Sequence, residues 1–121
     1  MNYQYSFEKL NVWIDSKELV NLIYSVTGKF PEEEKFGLIS QVRRATISIA
    51  SNLAEGTSRI TKKDKAHYTT MAFSSSMEVL NQIIISRELN YISLEDYGII
   101  RKQIEKVSNK LNSLRNSQLN S

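Results

Sequence analysis

The sequence has no cysteine, one histidine, one proline and four glycines in 121 residues. Without cysteine there are no disulfides, no thiolate metal sites and no thiol nucleophile. A lone histidine, His67, rules out any two-histidine metal site and has no evident triad around it. Arg59 and His67 are the only residues that could imitate the Arg-to-His motif of small helical ribonucleases, and their separation is too long for it. No Gly-rich phosphate loop occurs. No apolar run nears the roughly 18 residues of a membrane span. The N-terminal MNYQYSFEKLNVW lacks the basic-then-apolar order of a secretion signal. The expectation is a cytoplasmic, non-enzymatic protein with no metal and no cofactor.

What is present points to helices. Scarce proline and glycine leave long uninterrupted stretches, and the apolar (40%) and charged (24%) fractions suit one globular domain. The net charge of +3 is unevenly spread. Residues 1–55 carry −1, 56–67 carry +3, 68–100 carry −3 and 101–121 carry +4. Local fields therefore matter more than the total.

Four helices can be punctuated. The first is expected from Phe7 to Thr27, ended by Gly28 in the left-handed conformation. It carries two apolar stripes, Leu10/Trp13/Val20/Tyr24/Thr27 and Val12/Leu19/Ile23/Val26, more than one core face needs, which implies contact with another subunit. Phe30-Pro31-Glu32-Glu33-Glu34 reads as the start of the second helix, its carboxylates complementing the dipole; an acidic metal or partner site is the alternative. That helix should end at Gly56. Thr61-x-x-Asp64 and Ser93-x-x-Asp96 open the third and fourth helices, with Asn90 capping the third. The inner face of the third should follow Tyr68, Met71, Ala72, Ser75, Val79, Ile83 and Leu89. Residues 116–121 lose apolar periodicity and read as a frayed tail after a domain of residues 1–115. Short connections imply antiparallel neighbours, hence an all-α, up-and-down four-helix bundle.

The second helix carries an unusual polar line: Gln41, Arg44, Ser48, Asn52 and Glu55 fall in one sector beside the apolar face of Leu38, Val42, Ala45, Ile49 and Leu53. Two readings stand. One is a structural hydrogen-bond network, inside the bundle or at a subunit interface, with Arg43 or Arg44 paired to a carboxylate such as Glu78. The other is a ligand site with the arginines on phosphate.

Two basic stretches could meet nucleic acid. Arg59, Lys62, Lys63 and Lys65 cluster at the start of the third helix, where lysines oppose the dipole, and His67 and Tyr68 could stack on bases. Arg101, Lys102, Lys106 and Lys110 line the fourth helix, with Lys102, Lys106 and Lys110 at i, i+4 spacing. Solvated surface is the alternative for both. No helix-turn-helix or RNA-recognition signature is present, so no base-specific readout is expected.

The words Phe7-Glu8-Lys9-Leu10-x-Val12-Trp13, Phe30-Pro31-x-x-Glu34-x-Phe36-Gly37-Leu38, Gln41-x-Arg43-Arg44-Ala45-x-x-Ser48-Ile49-x-x-Asn52-x-Ala54-Glu55-Gly56 and Ala72-x-x-Ser75-x-x-Glu78 span most of the chain. In them the sequence resembles the four-helix-bundle family encoded in intervening sequences of bacterial large-subunit ribosomal RNA genes. That family is similar to the accessory variability determinant proteins of diversity-generating retroelements. Ser74-Ser75 stands where the family pattern has Gly-Ser, which implies a slightly wider helix contact there. The resemblance implies a ring, a homopentamer, with no established enzyme among its members. It also implies an accessory role: binding RNA or DNA, or alternatively partnering a protein such as a reverse transcriptase.

Overall fold

The computed structural model describes residues 2–120. After a short 3-10 turn, Ser6–Lys9, come four helices: α1 (Asn11–Thr27), α2 (Leu38–Thr57), α3 (Lys62–Glu88) and α4 (Leu94–Asn120). They run up and down in turn, α1 and α3 each packing on α2 and α4. The expected all-α bundle is what forms, and the described residues contain no strand.

The core is aliphatic: Leu19 and Ile23 from α1, Val42 and Ile49 from α2, Val79 and Ile83 from α3, and Ile100, Ile104, Val107 and Leu111 from α4 are all fully buried. Each such side chain contributes roughly 1.5–3 kcal/mol of burial. Of the two α1 stripes, Val12/Leu19/Ile23/Val26 is the core, whereas Tyr24 is exposed and Trp13 and Val20 are half-buried. The buried face of α3 is more polar than its apolar stripe predicts. Thr69, Ser76 and Ser86 lie inside, and Ser76 and Ser86 donate to the carbonyls of Phe73 and Gln82, so these two hydroxyls satisfy themselves within one turn. Leu89, expected inside, is exposed.

The helix ends show where local chemistry wins. Thr61 caps α3 by accepting from the Asp64 N–H (3.1 Å), and Ser93 does the same for Asp96 (3.1 Å). Asn90 adopts φ 63°, and the Tyr91 N–H reaches the Ser86 carbonyl (2.9 Å), closing α3 in a left-handed cap. Gly28 instead stays right-handed (φ −62°). The chain leaves α1 through further bonded turns to Pro31, with Phe30 buried against the Tyr91 ring (5.5 Å).

Three boundaries differ from expectation. Residues Ser6–Lys9 form a separate turn rather than the start of α1. Glu32–Glu34 form their own 3-10 turn, and α2 begins only at Leu38. The capping role of the glutamates survives at that later start. Glu34 Oε1 accepts the Leu38 N–H (3.1 Å) and Oε2 accepts the Tyr91 phenol (3.1 Å). Gly37 leaves room for this, since a Cβ there would sit 2.9 Å from Glu34 Oε1. Finally, α4 continues past Arg115 to Asn120, held by Thr69 donating to Gln118 Oε1 (2.8 Å). That contact ties the end of α4 to α3, and residue 121 of the expected tail lies outside the described residues.

Candidate nucleic-acid interface

The up-and-down order brings two sets of connections to opposite ends. One end holds the N-terminal segment, the α2–α3 connection and the end of α4. A cavity of about 330 Å³ joins them, with Ser6 and Leu10, Gly56 and Thr57, Lys65 and Thr69, and Leu114 and Gln118 in its walls. Gly56 lies inside α2 rather than after it, buried where α2 and α3 approach; a Cβ there would come within 3.0 Å of Tyr68 Cβ.

Cations concentrate at this end. Lys62 and Lys63 are exposed and Lys65 half-buried on the first turns of α3. Lys9 stands exposed on the N-terminal turn, and Arg115 lies on α4 over the Phe73 ring (5.2 Å). Among the described residues Lys9, Lys62, Lys63 and Lys65 have no carboxylate within ion-pair distance. Arg59 is held: its guanidinium lies 4.9 Å over the Tyr68 ring and donates to the phenol oxygen (3.0 Å). Tyr68 is thus half-buried and covered, while the exposed His67 ring meets it edge-on at 5.9 Å.

The opposite end is acidic. It carries Glu32, Glu33, Glu34, Glu88, Glu95 and Asp96. Of the cations there, Lys29 pairs with Asp96 (3.3 Å), Arg87 donates to the Ile92 carbonyl (3.2 Å), and the exposed Lys35 lies over the Phe36 ring (5.5 Å) with no carboxylate partner among the described residues.

Two lysines of the α4 ridge are already paired within the bundle. Lys106 (3.4 Å) and Lys110 both pair with Asp15 of α1, whose side chain is only 9% exposed. Gln103 adds a bond to the Asp15 carbonyl (2.9 Å). Lys106 and Lys110 therefore clamp α4 to α1. The sequence carried the signal, because Asp15 sits within the Val12/Leu19 core stripe, where an acid needs a partner. Arg101 lies over Tyr97 (5.6 Å) and donates to its phenol oxygen (2.9 Å). Lys102 is exposed in the first half of α4, towards the acidic end.

The polar line of α2 divides. Ser48 bonds Ser75 of α3 (3.0 Å), and Asn52 Nδ2 donates to the Ser48 carbonyl (2.9 Å) and Oγ (3.1 Å). This part is a structural network within the bundle, and Ser75 supplies a bridge at the altered Ser74-Ser75 position. Gln41, Arg44 and Glu55 are exposed, as is Glu78. The expected pairing of Arg43 or Arg44 with Glu78 is absent among the described residues. Arg43 turns to α1 instead, donating to Thr27 Oγ1 (2.9 Å) and lying 4.3 Å over the Tyr24 ring. Arg44 and Glu78 both reach solvent.

Sequence reasoning missed a groove of about 500 Å³ on the outer side of α1 and α2. Its lining includes Tyr24, Phe36, Ile39 and Ile47, with Arg43 and Arg44. Phe36 is 89% exposed. A run of rings, Tyr3, Tyr5, Phe7 and Trp13, was also missed. Among the described residues no group of three or more His, Asp or Glu side chains could hold a metal ion, and no helix is long and apolar enough to cross a membrane.

The fold and its polarised ends define an all-α four-helix bundle with a basic and an acidic end. The chain belongs to the 23S rRNA-intervening sequence protein family, whose model matches residues 8–113. Among solved structures it is similar to a protein of unknown function from the S23 ribosomal protein family of Bacteroides thetaiotaomicron. That likeness has a TM-score of 0.75 at 22% identity, covers 86% of this chain and 97% of the other, and shows the shared fold. No curated protein matches the chain.

Proposed function

We propose that the chain is a non-enzymatic, homo-oligomeric accessory protein that binds the backbone of RNA or DNA with its basic end. The observation that supports this is the set of unpaired lysines, Lys9, Lys62, Lys63 and Lys65, drawn from two stretches far apart in sequence. Lysines in the first turns of α3 work against the helix dipole by a few tenths of a kcal/mol each, which an external anion would offset. Flexible ammonium groups with no reading groove suit phosphate, so binding should be salt-dependent and tolerant of sequence. Arg59 contributes as a fixed charge, and Arg101 and Lys102 contribute less.

Self-association would repeat that end around a ring, a homopentamer by family resemblance, and add phosphate contacts along one strand. The α1/α2 groove supports such a contact, because Phe36, Ile47 and Tyr24 are large exposed apolar residues on one face. Light scattering should give an oligomer; a monomer at micromolar concentration contradicts this part. Anisotropy of a labelled RNA across salt tests the first part, and binding that Lys62/Lys63/Lys65→Ala leaves unchanged contradicts it.

The groove also favours a second reading, a protein-binding module such as a reverse transcriptase partner. Its aliphatic floor fits a protein better than a nucleic acid. A chain that captures such a partner, loses it on Phe36→Ser and never binds RNA or DNA would favour that reading.

A further inference from the structure

We propose that Tyr3 and Tyr5 form a stacking platform for the bases of a single-stranded nucleic acid, which rests on the reading of the basic end as a phosphate-binding surface. Tyr5 is extended (φ −76°, ψ 157°) at the entrance to the N-terminal turn, and the polar Asn2 and Gln4 alternate with Tyr3 and Tyr5 along the sequence. Their rings meet edge-on at 5.0 Å, and they are 79% and 62% exposed.

The platform is held in place rather than trailing. The Tyr5 N–H donates to Glu8 Oε2 (2.7 Å), fixing the backbone to the turn. The Tyr5 ring lies nearly parallel to Phe7 (17°, 6.4 Å), and Phe7 packs edge-on against Trp13 (5.1 Å), which α1 anchors. Lys17 covers the Trp13 ring at 5.0 Å, so the exposed surface of the ladder is at the Tyr3 and Tyr5 end. Rings fixed in this way lose little entropy on accepting a base, and every base has a face to offer.

The surroundings favour nucleic acid over protein. Ser6 shares a cavity wall with Lys65, and Lys9 shares one with Lys110, which bring the ladder beside the cations of α3 and α4. Glu8, the carboxylate of the adjoining turn, accepts the Tyr5 N–H. The polar residues alternating with the tyrosines offer no aliphatic floor of the kind found in the α1/α2 groove. Exposed π-faces beside unpaired ammonium groups match a strand with unstacked bases, which a duplex does not present.

The test uses the full chain and three probes: a single-stranded oligoadenylate, an abasic strand of the same length and the corresponding duplex. Tyr3→Ala/Tyr5→Ala should weaken oligoadenylate binding about tenfold or more and leave the abasic strand and the salt dependence unchanged. Tyr3→Phe/Tyr5→Phe should restore it. Equal affinity of the Ala variant and the parent for oligoadenylate overturns the proposal. So does an equal loss on the abasic strand, or a changed oligomeric state in the Ala variant, which would make the rings a protein contact. Failure of the parent protein to bind any of the three probes would instead remove the underlying reading, and this proposal with it. Both tyrosines are exposed, so an unchanged thermal midpoint is the control for folding.

Discussion

The two ends of the bundle are built from different parts, the start of α1, the end of α4 and the α2–α3 connection at one and the α1–α2 and α3–α4 connections at the other, and they treat charge differently. At the acidic end four of the charged side chains are engaged. Glu34 caps α2 and accepts the Tyr91 phenol, Lys29 pairs with Asp96, and Arg87 turns inward to the Ile92 carbonyl. At the basic end Lys9, Lys62, Lys63 and Lys65 have no carboxylate within ion-pair distance among the described residues. The ends are separated by the 20 residues of α2, about 30 Å at 1.5 Å per residue. That is roughly three Debye lengths at 0.1 M salt, so neither end neutralises the other. A near-neutral chain thus carries a locally strong positive field, and charge left unpaired by the fold is what an anionic partner can use.

The largest effect should come from emptying the basic end. Lys62/Lys63/Lys65→Ala should lower single-strand affinity about a hundredfold at low salt and reduce the salt slope by about two. Glu32/Glu33→Gln at the other end should change affinity by less than about threefold, because those charges are screened. Equal effects from both variants would erase the contrast between the ends.

A stability test follows from the middle of the molecule. Asp15→Ala should destabilise the fold by about 1–3 kcal/mol in denaturant unfolding, discounted because its lysine partners are partly exposed. It should also release Lys106 and Lys110, steepening the salt dependence of binding. Gly56→Ala should cost about 1 kcal/mol, because contact with Tyr68 Cβ outweighs the better helix propensity of alanine.

The smallest effect belongs to the acidic end. Partial burial, then the hydrogen bond to Glu34 and the Glu34 and Glu33 charges, hold the Tyr91 phenol above its ordinary pKa of 10.0. A raised folded pKa stabilises below the unfolded value and is lost as pH climbs through the folded one. Tyr91→Phe should therefore lower the thermal midpoint slightly at neutral pH, and the gap to the parent should close above pH 10. A gap that widens with alkali would contradict this assignment.

Much of the fold was legible because its signals are local. The Thr61, Asn90 and Ser93 caps act within a few residues, and the i, i+4 apolar spacing places the core. What was not legible depends on side chains meeting across helices. Whether Lys106 and Lys110 are free depends on Asp15, more than ninety residues earlier, and whether Arg43 meets Glu78 or Thr27 depends on which neighbour it turns to. The continuation of α4 past Arg115 likewise rests on Thr69 of α3. The Arg59–Lys65 cluster could be read from the sequence; that none of its lysines forms an ion pair among the described residues could not.

Photo-crosslinking of the full chain to a single-stranded RNA, mapped by peptide mass, tests most directly whether one end of the molecule is the nucleic-acid surface. Adducts should fall in residues 3–9 and 59–68 and be absent from 30–36 and 88–96. Adducts confined to the acidic end or to the α1/α2 groove would contradict it.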